Sequence, residues 1–202
     1  MARQGPCMVN GLSKSFKIRS AELPDATRIC AIYGFHVADG AGTFEEVAPA
    51  AEEIRRRMEN VKVRGLPWHV AEAKGELAGY CYASPYNARS AYRYTVQTSV
   101  YVDRNWYRRG IGLALLNSVA AACQKLGYCQ AMAAVGDSRN EGALKLHARA
   151  GYRTVGHAVR VGVKFGRWMD VVYLQRSLCD ASVPPADVSP VGYILPVDQT
   201  GP

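Results

Sequence analysis

The stretch RYTVQTSVYVDRNWYRRGIGLALLNSVA, residues 93–120, decides the fold because its pattern changes partway along. β-Branched side chains alternate from Val96 to Val102, as they do in a half-buried β-strand. A polar segment with two glycines follows, and an apolar run with helical character begins at Leu113. The stretch therefore predicts a strand, a short turn and a helix.

The turn itself, residues 107–112, has features of an anion-binding loop. Gly110 and Gly112 remove side chains where the chain enters the helix, so the first helical N–H groups can approach a ligand. Those donors and the positive end of the helix dipole suit a phosphate, and Arg108 and Arg109 add positive charge. The alternative is a glycine-containing loop with solvated arginines, because two glycines alone are weak evidence.

The composition indicates one globular domain. The chain has 202 residues, 49% of them hydrophobic, and a formal net charge of +8. This charge fits an anionic partner, but the arginines are scattered and form no long basic run, which argues against nucleic acid. The N-terminus lacks the apolar run of a signal peptide, and no segment is long enough to span a membrane. We expect a cytoplasmic protein.

The cysteines predict no metal site and are typical of reduced thiols. Their spacing contains no CxxC and matches no zinc pattern, so no metal is expected. Most have apolar neighbours, as reduced core thiols do. The six positions are Cys7, Cys30, Cys81, Cys123, Cys129 and Cys179.

Strand and helix patterns alternate along the rest of the chain. Strands are predicted at 16–21, 68–73, 77–84, 92–102, 128–135, 152–163 and 168–174, and helices at 24–40, 50–63, 110–126 and 138–150. Ser138 and Glu141 form a predicted capping box for the last helix, which ends at Gly151. Arg55, Arg56 and Arg57 are assigned to a solvated helix face. This order indicates an α/β class with a mixed sheet and helices on both faces.

Two segments resemble the acetyl-CoA signatures of the GCN5-related N-acetyltransferase (GNAT) family. VYVDRNWYRRGIGLALL (100–116) matches a strand, Q/R-x-x-G-x-G/A and a helix, except that Tyr107 replaces the usual Gln or Arg. NEGALKLHARAGY (140–152) matches a helix opened by Asn. PYNARSAYRYTVQTSVYV (85–102) and VGVKFGRWMDV (161–171) look like the phosphinothricin, or methionine sulfoximine, acetyltransferase branch.

The resemblance implies a GNAT fold over roughly residues 16–178, between tails at 1–15 and 179–202. It implies acetyl-CoA as co-substrate and a homodimer, while the composition predicts no membrane or nucleic-acid partner. The pantetheine arm would pair with the backbone of Val100, Tyr101 and Val102 and contact Asn140. The pyrophosphate would be held by Tyr107, Arg108, Arg109, Gly110, Ile111, Gly112 and Leu113.

The resemblance also raises a question about the general base. Gln97 stands where this branch has Glu, and an amide cannot accept a proton at neutral pH. Either Gln97 only orients an amine that arrives neutral or loses its proton to water, or Glu45 acts as the base, or the protein transfers slowly or not at all. His147 stands where many relatives have a Tyr thought to protonate the leaving thiolate. The alternative for His147 is a core histidine bonded to a backbone carbonyl.

The substrate side is implied by the same branch. The implied contacts are Phe44, Asn87, Arg89, Tyr92, Lys164 and Arg167. Arg89 would bind a carboxylate, sulfonyl or phosphinate oxygen, and Asn87 replaces a Lys of some members. The alternative is that residues 87–91 form an exposed turn. The sequence thus predicts an N-acetyltransferase for a small amino-acid-like amine, such as methionine sulfone, methionine sulfoximine or phosphinothricin. A catalytically weak acetyl-CoA-binding sensor is the alternative.

Overall fold

A computed structural model describes residues 16–180 together with Ser182 and Pro190. Its elements are β1 Lys17–Ser20, α1 Ala26–Ala38, α2 Ala51–Val63, β2 Trp68–Ala73, β3 Glu76–Pro85, β4 Thr95–Val102, α3 Ile111–Lys125, β5 Gln130–Gly136, α4 Glu141–Arg149, β6 Arg153–Lys164 and β7 Arg167–Ser177. The predicted element order is confirmed. The strand expected from residue 92 begins at Thr95, because Ser90–Tyr92 forms a 3₁₀ turn.

Within the described residues the strands form one mixed sheet in the order β1-β2-β3-β4-β5-β7-β6, with only β4 and β5 parallel. Helices cover both faces, as predicted. On β3, Gly79 lies against Leu115 of α3, whereas the next residue, Tyr80, stacks with Tyr101 on the opposite face. Tyr101 in turn meets Tyr33 of α1 edge-on, at a centroid distance of 5.0 Å.

The parallel pair β4 and β5 separates partway along. β4 stays paired with β3 as far as Val102, but its register with β5 ends where Gln97 lies opposite Met132. β5 continues beside β7 to Gly136. We call the opening between Ser99–Val102 and Ala133–Gly136 the fork. It leaves the β5-facing backbone of β4 without a strand partner in the described part of the chain.

The start of the last helix differs from the prediction. α4 begins at Glu141, and Asn140 is its N-cap, with Oδ1 accepting the N–H of Ala143 at 3.2 Å. The predicted cap, Ser138, instead donates its hydroxyl to Asp170 of β7 at 2.7 Å. A contact from a distant strand has therefore outcompeted the local capping box.

The cysteines follow the prediction only in part. Cys81 and Cys123 are buried free thiols, as expected. Cys129 and Cys179 instead form a disulfide, which corrects the expectation of reduced thiols. The antiparallel pairing of β5 with β7 brings the start of one strand beside the end of the other, and the two Cα atoms lie 4.9 Å apart. Cys7 lies outside the described residues.

The predicted tails fall largely outside the described residues, which exclude 1–15 and most of 179–202. Of the C-terminal segment, Cys179 is bonded to Cys129, and Pro190 is buried beside Gly127. Both contacts are made with residues that lie just before β5. No helix in the described portion has the length and apolar character needed to cross a bilayer.

Candidate functional site

The loop before α3 presents a set of backbone donors. Arg108 and Gly110 have φ angles of +63° and +78°, and these left-handed residues turn the chain into the helix. The carbonyl of Gly110 accepts the N–H of Ala114. The N–H groups of residues 111–113 precede that first helical bond, so they have no partner within the helix. Together with the helix dipole they form a site suited to a phosphate group.

The two glycines of this loop have different roles. Gly110 has open space where a side chain would be, so its φ of +78° is what requires glycine. Gly112 is buried, and an added Cβ would lie 2.9 Å from Leu146 of α4 and 3.5 Å from Val102. Gly112 therefore allows α3 to pack closely on α4 and β4, which differs from the predicted role in ligand approach.

Positive charge surrounds these donors. Arg108 and Arg109 are exposed, and the Arg109 guanidinium lies 4.9 Å from the ring centre of Trp106. Arg104 lies similarly over Phe35, at 5.2 Å. None of the three arginines forms an ion pair with a described residue, so their charge is available to an anionic ligand.

The fork begins directly beside this loop. Asp103 donates its N–H to Ala78 of β3 at 2.9 Å, so by alternation the backbone groups of Val100 and Val102 face the fork. His36 Nε2 lies 2.9 Å from the carbonyl of Val102 and donates to it. Burial lowers the pKa of His36, so the ring is neutral near pH 7. The predicted Tyr101 differs from its neighbours, because its backbone faces β3.

His147 has the contacts of the predicted alternative. It is 5% exposed, and its Nδ1 lies 2.8 Å from the carbonyl of Ala143. A carbonyl only accepts, so Nδ1 carries the proton and Nε2 is an acceptor in the neutral ring. Burial lowers the pKa of His147, which favours the neutral form. Protonating a thiolate would require the imidazolium, the form that burial disfavours. Asn140, which was predicted to lie on the same side of this helix, caps it with Oδ1 alone. Its side-chain N–H groups are therefore available to a ligand.

Gln97 lies on the sheet face covered by α1. By alternation it shares this face with Ser99, which hydrogen-bonds Tyr82 on β3. Tyr82 is also close enough to Glu45 to interact with its charge, so Gln97 and Glu45 lie on the same face. Among the described residues the Gln97 carboxamide has no hydrogen-bond partner, which leaves it available to an amine or a water.

Glu45 is already engaged. Its carboxylate accepts hydrogen bonds from Arg57 at 2.8 and 3.3 Å. Its backbone N–H donates to Thr43 Oγ1 at 3.3 Å, and that hydroxyl lies 2.8 Å from the hydroxyl of Tyr33. A proton taken up by Glu45 would therefore compete with the Arg57 ion pair.

Two predicted substrate contacts have their charges committed elsewhere. Lys164 is 2% exposed, and its ammonium donates to the carbonyls of Gly40 at 2.9 Å and Thr43 at 2.8 Å. Arg167 pairs with Asp137 at 2.7 Å. Lys164 therefore anchors the loop of residues 40–45 instead of presenting its charge to a ligand.

The same loop holds Phe44 in a fixed place. Its ring lies directly on Gly136 of β5 and Gly162 of β6, where there is no room for a side chain. The ring remains 37% exposed. Phe44 therefore forms an apolar wall beside the open end of the fork.

The loop between β3 and β4 carries the remaining predicted contacts. Asn87 Oδ1 accepts the N–H of Arg89 at 3.0 Å, so Asn87 shapes this loop. Tyr92 is 40% exposed and meets Tyr86 edge-on. The Arg89 side chain is exposed and is in no ion pair with a described residue. The loop leads into β4 two residues before Gln97, on the substrate side of the predicted site.

Sequence reasoning missed Arg57 and His36. Arg57 was assigned to a solvated face, yet it follows Ile54 by three residues and precedes Met58, both buried. That position at the margin of the apolar face was the available signal. His36 carried no signal, because only the fold brings it to Val102.

Comparisons with known proteins agree with this geometry. A family model for the acetyltransferase (GNAT) domain matches residues 18–173. The chain is 45% identical over 161 residues to a phosphinothricin N-acetyltransferase from Alcaligenes faecalis, covering 80% of each protein. It is 29% identical over 169 residues to the L-methionine sulfoximine/L-methionine sulfone acetyltransferase of Salmonella typhimurium, covering 84% of this chain and 98% of that protein.

The fold agrees as well. The crystal structure of a GNAT superfamily phosphinothricin acetyltransferase from Sinorhizobium meliloti, in complex with AcCoA, matches with a TM-score of 0.83 and 32% identity, covering 87% of this chain and 95% of that one. No group of three or more His, Cys, Asp or Glu that could hold a metal occurs in the described portion. The chain therefore belongs to the GNAT family of acetyltransferases, with acetyl-CoA as its co-substrate.

Proposed function

We propose that this enzyme moves the acetyl group of acetyl-CoA to the amine of a small amino-acid-like substrate of the methionine sulfoximine, methionine sulfone or phosphinothricin type. One observation carries the proposal: β4 links all the parts that the reaction needs. Its end leads to the donors at residues 111–113, its edge lines the fork, and Gln97 lies near its start. The relatives' activities support the substrate class.

In this proposal the backbone donors and Arg108 bind the diphosphate, and the pantetheine arm lies along Val100 and Val102. Asn140 contacts the arm with its free amide. The arm then directs the thioester toward the apex of the fork, next to Gln97. Holding the amine and the thioester together lowers the activation barrier by several kcal/mol without any acid or base.

The proton is the remaining requirement. The amine attacks the thioester carbonyl as a free base, the C–S bond breaks, and the thiolate leaves. An α-amino group has a pKa of about 7.7–8.0, so reaching the neutral amine costs little near neutral pH. We propose that Gln97 orients the amine while water carries its proton away, because Glu45 is held by Arg57. A thiol pKa of about 8.5 lets the thiolate leave without a dedicated acid.

Arg89 supplies the charge for recognising the substrate. Its guanidinium can bind a carboxylate, sulfonyl or phosphinate oxygen from the loop before β4. Phe44 provides an apolar surface for the carbon chain. Tyr92, also exposed in that loop, completes the proposed pocket, and Arg167 reaches it only by leaving Asp137.

Lys164→Met should raise the KM for the amine about tenfold and leave the KM for acetyl-CoA near that of the wild type. The change removes both hydrogen bonds that anchor the loop of residues 40–45, and each such bond contributes about 1 kcal/mol. Initial rates with each substrate varied in turn measure the two constants. Lys145→Met, at an exposed lysine of α4, is the control. An equal rise in both constants would show that Lys164 does not act on the substrate loop.

We also propose a homodimer formed through the edge strand β6. Val159, Val161 and Val163 are 62%, 53% and 54% exposed, and the neighbouring Trp168 is 62% exposed. An apolar row on an edge strand favours pairing with another chain. Light scattering should give twice the chain mass.

We place the enzyme in the cytoplasm, where acetyl-CoA is available, and cell fractionation tests that assignment.

The activity is tested by thiol release from acetyl-CoA with a panel of amines. Methionine sulfoximine, methionine sulfone and phosphinothricin should give turnover, and unmodified amino acids with large charged side chains should give much less. Loss of that turnover in Arg108→Ala would tie it to the proposed site. Tight binding of acetyl-CoA without turnover on any amine would overturn the proposal and favour a sensor.

A further inference from the structure

A pair of buried hydroxyl groups lies at the apex of the fork. Thr98 Oγ1 donates to the carbonyl of Met132 at 3.3 Å and lies 2.8 Å from the hydroxyl of Tyr152. Thr98 is 3% exposed and Tyr152 is 4% exposed. These bonds connect β4, β5 and the segment between α4 and β6.

The position of this pair is specific. The register of β4 with β5 ends where Gln97 lies opposite Met132, and Thr98 is the next residue along β4. Its hydroxyl therefore reinforces the last point of contact before the two strands separate. Beyond it lie Val100 and Val102, whose backbone lines the fork.

The number of hydroxyl protons decides which of the two residues is the donor in the Thr98–Tyr152 hydrogen bond. Thr98 has one hydroxyl proton, which it donates to Met132, so the proton between the two hydroxyls comes from Tyr152. Burial raises the pKa of Tyr152, so the phenol keeps this proton throughout the working pH range. The Tyr152 ring also meets His147 edge-on at 5.2 Å. These two hydrogen bonds and the ring contact thus connect the apex of the fork to α4.

We propose that Thr98 and Tyr152 are positioning residues that fix the point at which β4 and β5 separate, and thereby the slot for the pantetheine arm. This inference rests on the proposed placement of acetyl-CoA along the fork. Neither side chain needs to contact the reacting atoms. Loss of the Thr98 hydroxyl would allow the strands to part at a different place, and the slot would no longer match the arm.

Thr98→Val keeps the shape of the side chain and removes the hydroxyl. We expect the Kd for acetyl-CoA, measured by calorimetry, to rise about tenfold. Adenosine 3′-phosphate 5′-diphosphate, the nucleotide half of coenzyme A, lacks the arm and should bind Thr98→Val as it binds the wild type. A general folding defect would weaken both ligands equally, which would overturn the proposal.

Conservative variants complete the test. Thr98→Ser retains the hydroxyl and should bind acetyl-CoA within about twofold of the wild type, and Tyr152→Phe should fall between Ser and Val. Thr154→Val, at an exposed threonine of β6, is the matched control. If Thr98→Val does not fold, an unchanged Kd in Tyr152→Phe overturns the proposal.

The calorimetric readout separates this inference from the proposed function. If the wild type binds acetyl-CoA without turnover, the proposed function is wrong. The acetyl-CoA affinities of the Thr98 variants would still test the role of the hydroxyl pair. Thr98→Val with full acetyl-CoA affinity would end this inference and leave the proposed function intact.

Discussion

Gly110→Asp should lower kcat/KM for acetyl-CoA at least about 100-fold. Gly110 has a φ of +78° and precedes the bare N–H groups at residues 111–113. An L-residue there costs about 1–2 kcal/mol, and a carboxylate beside the donors repels a diphosphate and competes for Arg108. A combined cost of about 3 kcal/mol corresponds to the stated factor. Initial rates at saturating amine and a calorimetric Kd measure it.

Gly75→Asp is the matched control for this change. Gly75, in the turn between β2 and β3, has a φ of +79°, and like Gly110 it has open space where a side chain would be. The two variants therefore impose the same backbone strain and charge, and their melting temperatures should fall by similar amounts. Gly110→Asn, which adds strain without charge, should lose less activity than the aspartate. Full activity in Gly110→Asp would show that the diphosphate binds elsewhere.

The sequence was sufficient to predict what depends on local periodicity. Alternation from Val96 to Val102 and the apolar run after Leu113 gave β4 and α3, and similar patterns gave the other elements in their correct order. The loop with Gly110 was also readable, because positive φ and bare helical donors are local properties. These features need only a few neighbouring residues to define them.

Pairing between distant elements could not be predicted in this way. The Cys129–Cys179 disulfide joins residues 50 positions apart, and it follows only once β5 is known to lie beside β7. Ser138 has a good local capping pattern, but Asp170 from β7 takes its hydroxyl. The fork itself depends on β5 diverging from β4 after Met132 while it stays paired with β7 on its other side, which no local pattern records.

The same limit explains the charged residues of the site. Lys164 and Arg57 each carry a charge that could face solvent, substrate or a buried partner. Their spacing could not choose among these, because the partners Gly40, Thr43 and Glu45 lie far from them in sequence or on another element. The sequence shows that these side chains are charged, whereas the partner that each charge contacts depends on the fold.

Gln97→Glu should raise kcat/KM for the amine up to about 50-fold at pH 6 and change it little above pH 8. A Glu with an ordinary pKa of about 4.3 is ionised over this range and can accept the ammonium proton. The wild type reacts only with the neutral amine, and roughly 2% of the substrate has a neutral α-amino group at pH 6. The wild-type rate should therefore rise about tenfold per pH unit and level off near pH 8. Initial rates at subsaturating amine give both profiles.

Ser99→Asp is the control, because it adds the same charge on the same face but two residues away from the amine position. It should give no gain at pH 6. A wild-type profile that is already flat from pH 6 to 8, with no gain in Gln97→Glu, would mean that a base is present. Glu45→Gln should then restore the tenfold rise per pH unit, because Glu45 is the carboxylate placed on the same face as position 97. The slope of the wild-type profile thus decides whether the amide at 97 merely orients a neutral amine or whether Glu45 leaves Arg57 to take the proton.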